Sequence, residues 1–256
     1  KYIDSMQLSL PKKECSTSVP VKRTTDPIVT GSAVFATKYR DGVLLCTDTL
    51  ASYGSMAMFK NVQKMHVLRN NVIIGFDGEY SDFTYICEEL DRSLDESYYL
   101  DDNSMMTASA TFNFLRCWLY NARTDMKPFW NNLVVIGMED HKPYVVGGCV
   151  GCLMDVHSNA HFLQQELLIP VEFLGIIDRL GAAYEEDFTS TNYGLYFCLP
   201  LMRNLYHPEM TEEEARKMLE ECARVGYYRN CFASSRIQIA KVTSDGCEIG
   251  DSYVLN

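Results

Sequence analysis

Ser32, Asp48 and Lys64 follow one another at intervals of sixteen residues. Ser32 stands between Gly31 and the run AVFATKY, and Asp48 ends the run GVLLCTD. A hairpin joining these runs brings Ser32 and Asp48 to one end, and Lys64, just ahead of MHVL, can reach the same end. A hydroxyl beside an ammonium group and a carboxylate can act as an activated nucleophile, the cation lowering the hydroxyl pKa and the carboxylate orienting the cation. The same three residue types also make an ordinary polar rim at strand ends, so spacing alone leaves both readings open. Other routes to hydrolysis have less support. There is no G-x-S-x-G, none of the five histidines falls into an evident triad pattern, and no glycine-rich phosphate loop is present.

Periodicity supplies the elements that must hold these residues. From Ala33 a β-branched and aromatic run extends to Arg40, Asp41-Gly42 gives a two-residue hairpin signal, and the apolar run VLLCT follows. A second hairpin is expected around Arg69-Asn70-Asn71, between KMHVL and VIIGF. The period then changes. Phe83, Ile86, Leu90 and Leu94 lie on one helical face, and Ala108, Phe112, Leu115, Leu119 and Ala122 mark a second helix. Strand signals return at LVVIG (133–137). A third helix is expected over Leu195 to Leu205, with Pro200 inside it. Thr211 and Glu214 form a capping box for a fourth, whose stripe is Ala215, Met218, Leu219, Cys222 and Val225. SRIQIAKV, a Ser-Asp-Gly turn and CEIG close the chain as a hairpin. This order predicts an α+β fold in which two antiparallel sheets pack face to face with helix pairs outside, a four-layer αββα sandwich.

With 256 residues, 47% of them hydrophobic, the chain can bury one sizeable core. No Gly/Ser/Pro-rich linker divides it. Residues 1–27 show no period and read as an extension or pro-segment, leaving 28–256 as a single domain. The net charge of −11 argues against nucleic acid as the main partner. No apolar run approaches the roughly 18 residues of a membrane helix, and the N-terminal stretch has no signal-peptide core. Ten scattered cysteines, several inside apolar patterns (Cys87, Cys117, Cys222), favour reduced thiols in an intracellular protein.

TGSAVFATKYRDGVLLCTDTLASYGS resembles the start of 20S proteasome β subunits, where Gly-Thr, a strand, Arg-x-Gly, a strand and Ala-Asp follow in this order. TTDPIVTGS, SYGSMAMFKNVQKM, GFDGEYSDFTYI, KPFWNNLVVIG, FLGIIDRLGAAYE and YYRNCFASSRIQIAKV are similar to the type-4 branch, the seventh position of the β ring. The resemblance spans residues 24 to 250 with one gap and implies the N-terminal-nucleophile hydrolase fold. Active members cut themselves between Gly and Thr, and the freed Thr uses its own amine as base. On that pattern Ser32 holds the nucleophile position, Asp48 the acidic one and Lys64 the lysine. Gly78 falls where a backbone N–H stabilises the oxyanion. Active members further carry a Ser after a Gly-rich turn, and an Asp and a Ser after a Tyr-Arg pair. Here the matching positions are Gly194, Asn230 and Ala233. Asn cannot carry the charge that stabilises a protonated amine, and Gly and Ala offer no hydrogen bond. Ser also lacks the methyl that restricts a Thr at χ1. The type-4 branch is trimmed upstream, near Thr24 in this chain, so Ser32 never becomes a terminus. The resemblance thus implies a vestigial site, with no catalytic residue, cofactor or metal expected.

Two regions depart from the pattern. An insertion near 139–170 contains Cys149, Cys152, His157 and His161, a C-x2-C-x4-H-x3-H run close to a zinc-knuckle spacing. The alternative is a longer hairpin with merely apolar thiols, because Val145, Val146 and Val150 give it strand character. The chain also stops at DSYVLN, short of the arm that in this branch reaches the opposite ring, which implies a shortened clamp. The expected function is that of a non-catalytic structural β subunit of the 20S core. It would form part of the β ring and of the chamber for ATP- and ubiquitin-dependent degradation, in cytoplasm and nucleus. Implied partners are β subunits of the same and opposite ring, α-ring subunits and assembly chaperones, with neither nucleic acid nor membrane. Two rivals stand beside it: an active N-terminal serine hydrolase after Gly31–Ser32 cleavage, and an insertion that serves as a metal-stabilised interaction module.

Overall fold

A computed structural model describes residues 27–69, 71–100, 106–140 and 170–255. β2 (Val34–Tyr39) and β3 (Gly42–Asp48) pair in the hairpin that the alternation predicts. β3 then pairs on its other edge with β12 (Arg236–Thr243). β11 (Phe188–Ser190), β13 (Gly246–Ile249) and β14 (Tyr253–Val254) complete this first sheet. The second sheet runs β10 (Ala183–Glu185), β9 (Pro170–Ile177), β8 (Asn131–Asp140), β7 (Val72–Gly78) and β6 (Met65–Leu68), all neighbours antiparallel.

Three apolar layers account for the stack. Val34, Ala36, Val43 and Leu45 of the first sheet meet Ile73, Val134, Ile136 and Leu174 of the second. The outer face of the second sheet, with Val72, Ile74 and Phe76, is covered by α1 (Tyr80–Tyr99) and α2 (Ala108–Thr124). Their buried faces contain Phe83, Ile86, Leu90 and Leu94, then Ala108, Phe112, Leu115 and Leu119, as the 3.6-residue period requires. On the far side, α3 (Gly194–Phe197), α4 (Leu199–Leu205) and α5 (Glu212–Arg229) cover Phe35, Leu44, Cys46 and Ile239. Strands covered on both faces read as unbroken apolar runs, which is why VLLC shows no alternation. The αββα sandwich expected from the element order is the architecture observed.

Two expectations need correction. The first hairpin turns at Arg40-Asp41, because Tyr39 pairs with Gly42. Gly42 is already in β3, where any Cβ would overlap the carbonyl of Val242 in β12. The glycine answers to a distant strand and not to the turn. The single helix expected over Leu195 to Leu205 is split at Cys198 into α3 and α4. Pro200 lies in the first turn of α4, where its missing N–H costs no hydrogen bond.

The capping box holds as read. Thr211 Oγ1 accepts the Glu214 N–H at 3.4 Å, and the Glu214 carboxylate accepts the Thr211 N–H at 2.9 Å. Thr211→Ala is expected to cost about 1 kcal/mol, measured as a lower denaturation midpoint, with Thr211→Ser near neutral.

Candidate functional site

The β2–β3 register sets Val34 opposite Thr47, so Ser32, two residues before β2, lies beside Asp48 at the end of β3. Lys64 stands immediately ahead of β6 and is fully buried. The three side chains meet. Ser32 Oγ donates to Asp48 Oδ1, Lys64 Nζ lies 2.5 Å from the same oxygen, and Lys64 Nζ lies 3.5 Å from Ser32 Oγ. The second carboxylate oxygen accepts the N–H groups of Ser234 at 2.9 Å and Leu50 at 3.4 Å. Every oxygen of Asp48 is therefore engaged, and a buried charge needs such pairing to persist. The geometry is that of a saturated ion pair with a serine attached.

Gly78 sits across from this cluster with φ +114°, a conformation open to glycine, and a Cβ there would overlap the carbonyl oxygen of Trp130. Its carbonyl accepts the Gly31 N–H at 2.8 Å. Upstream of Gly31 the chain forms β1 (Val29–Thr30), which pairs with β4 (Ala51–Tyr53), itself paired with β5 (Met56–Phe59). On the other side Thr30 bridges to Glu79, and the Glu79 carboxylate accepts the N–H groups of Ile28 and Val29, the latter at 3.0 Å. The segment before Ser32 is thus pinned from both edges. The Ser32 hydroxyl is buried.

Gly194, Asn230 and Ala233 also converge on Ser32. With Ser32, Asp48 and Ser234 they line a cavity of about 20 Å³. Gly194 opens α3, and a Cβ there would overlap Ser190 Oγ and come within 2.9 Å of Phe35. Asn230 caps α5, its Oδ1 accepting the Phe232 N–H at 3.0 Å, and its carbonyl accepts the Ala233 N–H at 3.1 Å. No residue in this trio supplies a second charge to the site.

A larger cleft of about 720 Å³ opens beside Gly31 and Gly78, with Asp77, Trp130, Asn192, Tyr193 and Tyr196 in its wall. Sequence reasoning missed Asp77, Glu79 and Ser234. Ser234 acts through its backbone N–H, which residue type does not reveal. Glu79 acts on a two-residue strand too short to show a period.

The metal candidates Cys149, Cys152, His157 and His161 lie outside the described residues, as do residues 1–26 of the expected extension. Among the described residues, no group of three or more His, Cys, Asp or Glu side chains is placed to hold a metal. β8 and β9 stay paired as far as Asp140 and Pro170, so the intervening segment leaves and rejoins the sheet at opposed positions.

With this geometry in hand, comparison with known proteins gives a consistent answer. The family model for proteasome subunits matches residues 28–156 and 171–242, and its gap falls within the insertion read from the sequence. Proteasome subunit beta type-4 of Dictyostelium discoideum is 34% identical over 237 residues, covering 92% of this chain and 80% of the relative. The proteins of the same name from Xenopus laevis and Arabidopsis thaliana are each 31% identical, covering 90% and 91% of this chain and 84% and 83% of their own lengths. The αββα sandwich, the site at the end of its first hairpin and these matches agree: the chain belongs to the proteasome subunit family, as a β subunit.

Proposed function

We propose that this chain is an architectural, non-catalytic member of the 20S proteasome β ring, corresponding to the type-4 position. One observation carries the reading. The residues immediately ahead of Ser32 are held in place by Gly78, Glu79 and β4, and the Ser32 hydroxyl is buried against Asp48. The relatives named β type-4 support the assignment to that position. On this reading the chain contacts β neighbours in its own and the opposite ring and α-ring subunits, with assembly chaperones as earlier partners, in cytoplasm and nucleus.

Its surface favours assembly. All four residues of β5 are exposed, Met56, Met58 and Phe59 among them, and Tyr53 lies beside them on β4. Exposed apolar groups of this kind mark interaction surfaces.

Intact mass and N-terminal sequencing of the chain from purified particles test the proposal. The expected terminus lies upstream of Ser32, and Ser32→Ala should leave every peptidase activity of the particle unchanged. A terminus at Ser32 together with a covalent inhibitor adduct on its hydroxyl would establish the serine hydrolase instead. That reading draws on the retained contact between Ser32, Asp48 and Lys64.

A further inference from the structure

Asp77 precedes Gly78 on β7 and is only 1% exposed, yet its hydrogen-bond partners are all neutral. Asn132 of β8 donates from Nδ2 to Oδ2 at 3.1 Å and Asn192 donates from Nδ2 to Oδ1 at 3.1 Å, while the nearby Thr191 hydroxyl accepts the Val34 N–H at 2.9 Å. Thr191 and Asn192 lie between β11 and α3, in the segment that carries Gly194 against the Ser32 side of the first sheet. Asn192 holds a left-handed backbone, φ +52°, which asparagine adopts more readily than most residues other than glycine. Asp77 therefore ties the second sheet to a turn of the first sheet.

The charged groups around it do not neutralise it. Lys64 is committed to Asp48, and Arg179 lies over the Trp130 ring, 4.6 Å from its centroid. Asp178 lines the same cleft, Glu79 is bound to the upstream strand, and Asp82 accepts the Trp130 N–H. Burial outweighs the two asparagine donors and the Lys64 charge, and pushes the Asp77 carboxyl up to about 6.

Protonation changes what this group can do. The ionised carboxylate accepts from both asparagines, whereas the acid must donate one hydrogen itself. Asn132 Oδ1 faces the Arg179 N–H at 3.4 Å, which leaves Thr191 and Asn192 to rearrange. We propose that Asp77, Thr191 and Asn192 form a proton-operated clasp between the two large sheets, which resets the turn beside Ser32 as the carboxyl changes from acceptor to donor. An aspartate normally titrates near 3.8, so the folded chain carries an extra proton between about 4 and 6. The contribution of Asp77 to stability is complete below that window and is lost as pH rises through about 6.

Hydrogen exchange of the 190–195 segment in assembled particles, from pH 5 to 8 and corrected for intrinsic rates, tests the clasp. Wild-type protection is expected to change about five-fold, the weight of one hydrogen bond, with a midpoint near pH 6. Asp77→Asn presents one acceptor and one donor, as the neutral acid does, so its protection should be flat and equal to the acid value. Asn192→Gly keeps the left-handed turn without the side chain and should also be flat. Where Asp77→Asn fails to assemble, the wild-type titration and Asn192→Gly decide. Flat wild-type protection, or a wild-type midpoint retained in either variant, would overturn the proposal.

Discussion

Lys64→Ala is expected to destabilise the chain by about 3–5 kcal/mol, because it strands the buried carboxylate of Asp48 without its cation. The ammonium group is fully buried and 2.5 Å from Asp48 Oδ1, so neither solvent nor an alternative partner can replace it. The measurement is denaturation of the refolded chain, with the fraction incorporated into particles as the parallel readout in cells. Removing both charges should cost far less than removing one. Asp48→Asn with Lys64→Met keeps an acceptor for one of the Ser234 and Leu50 N–H groups and fills the lysine stem's volume. A double variant more stable than Lys64→Ala identifies the pair as a structural tie. Equal losses in both would mean that the stranded Asp48 charge is not what destabilises Lys64→Ala.

Gly78→Ala is expected to be of similar severity, about 3 kcal/mol or more, from backbone strain at φ +114° with steric overlap added to it. The overlap is with the Trp130 carbonyl, which is backbone and accepts the Glu79 N–H at 3.0 Å, so it cannot move aside cheaply. A shift of Gly78 also pulls its own carbonyl from the Gly31 N–H, loosening β1 and the segment ahead of Ser32. Gly54→Ala is the control. Gly54 has φ +55° and open space where the Cβ would go, so it carries the conformational cost alone, about 1 kcal/mol. Thermal unfolding of the two variants should separate clearly. Similar midpoints would show that the Trp130 carbonyl yields.

Legibility followed the range of the interactions. The faces of α1 and α2 were readable because burial against a sheet repeats every turn, so Phe83, Ile86, Leu90 and Leu94 announce themselves. The Thr211–Glu214 box was readable because both partners lie within one turn. The Arg40-Asp41 turn was misplaced by one residue because Gly42 is fixed by Val242, far along the chain. β1 escaped notice because its pairing partners, β4 and Glu79, give two residues a strand's environment without a strand's pattern.

The site divides in the same way. Sequence spacing alone brought Ser32, Asp48 and Lys64 to one strand end, since the hairpin that aligns them is local. What these residues do there was decided by the tertiary structure. The Ser234 N–H reaches Asp48 from 186 positions away, and Glu79 holds Ile28 and Val29 from some fifty. These contacts saturate the carboxylate and hold the segment ahead of the serine in place. Residue types set which chemistry was available, and only the packing of distant backbone groups around them determined how the carboxylate beside the serine is paired.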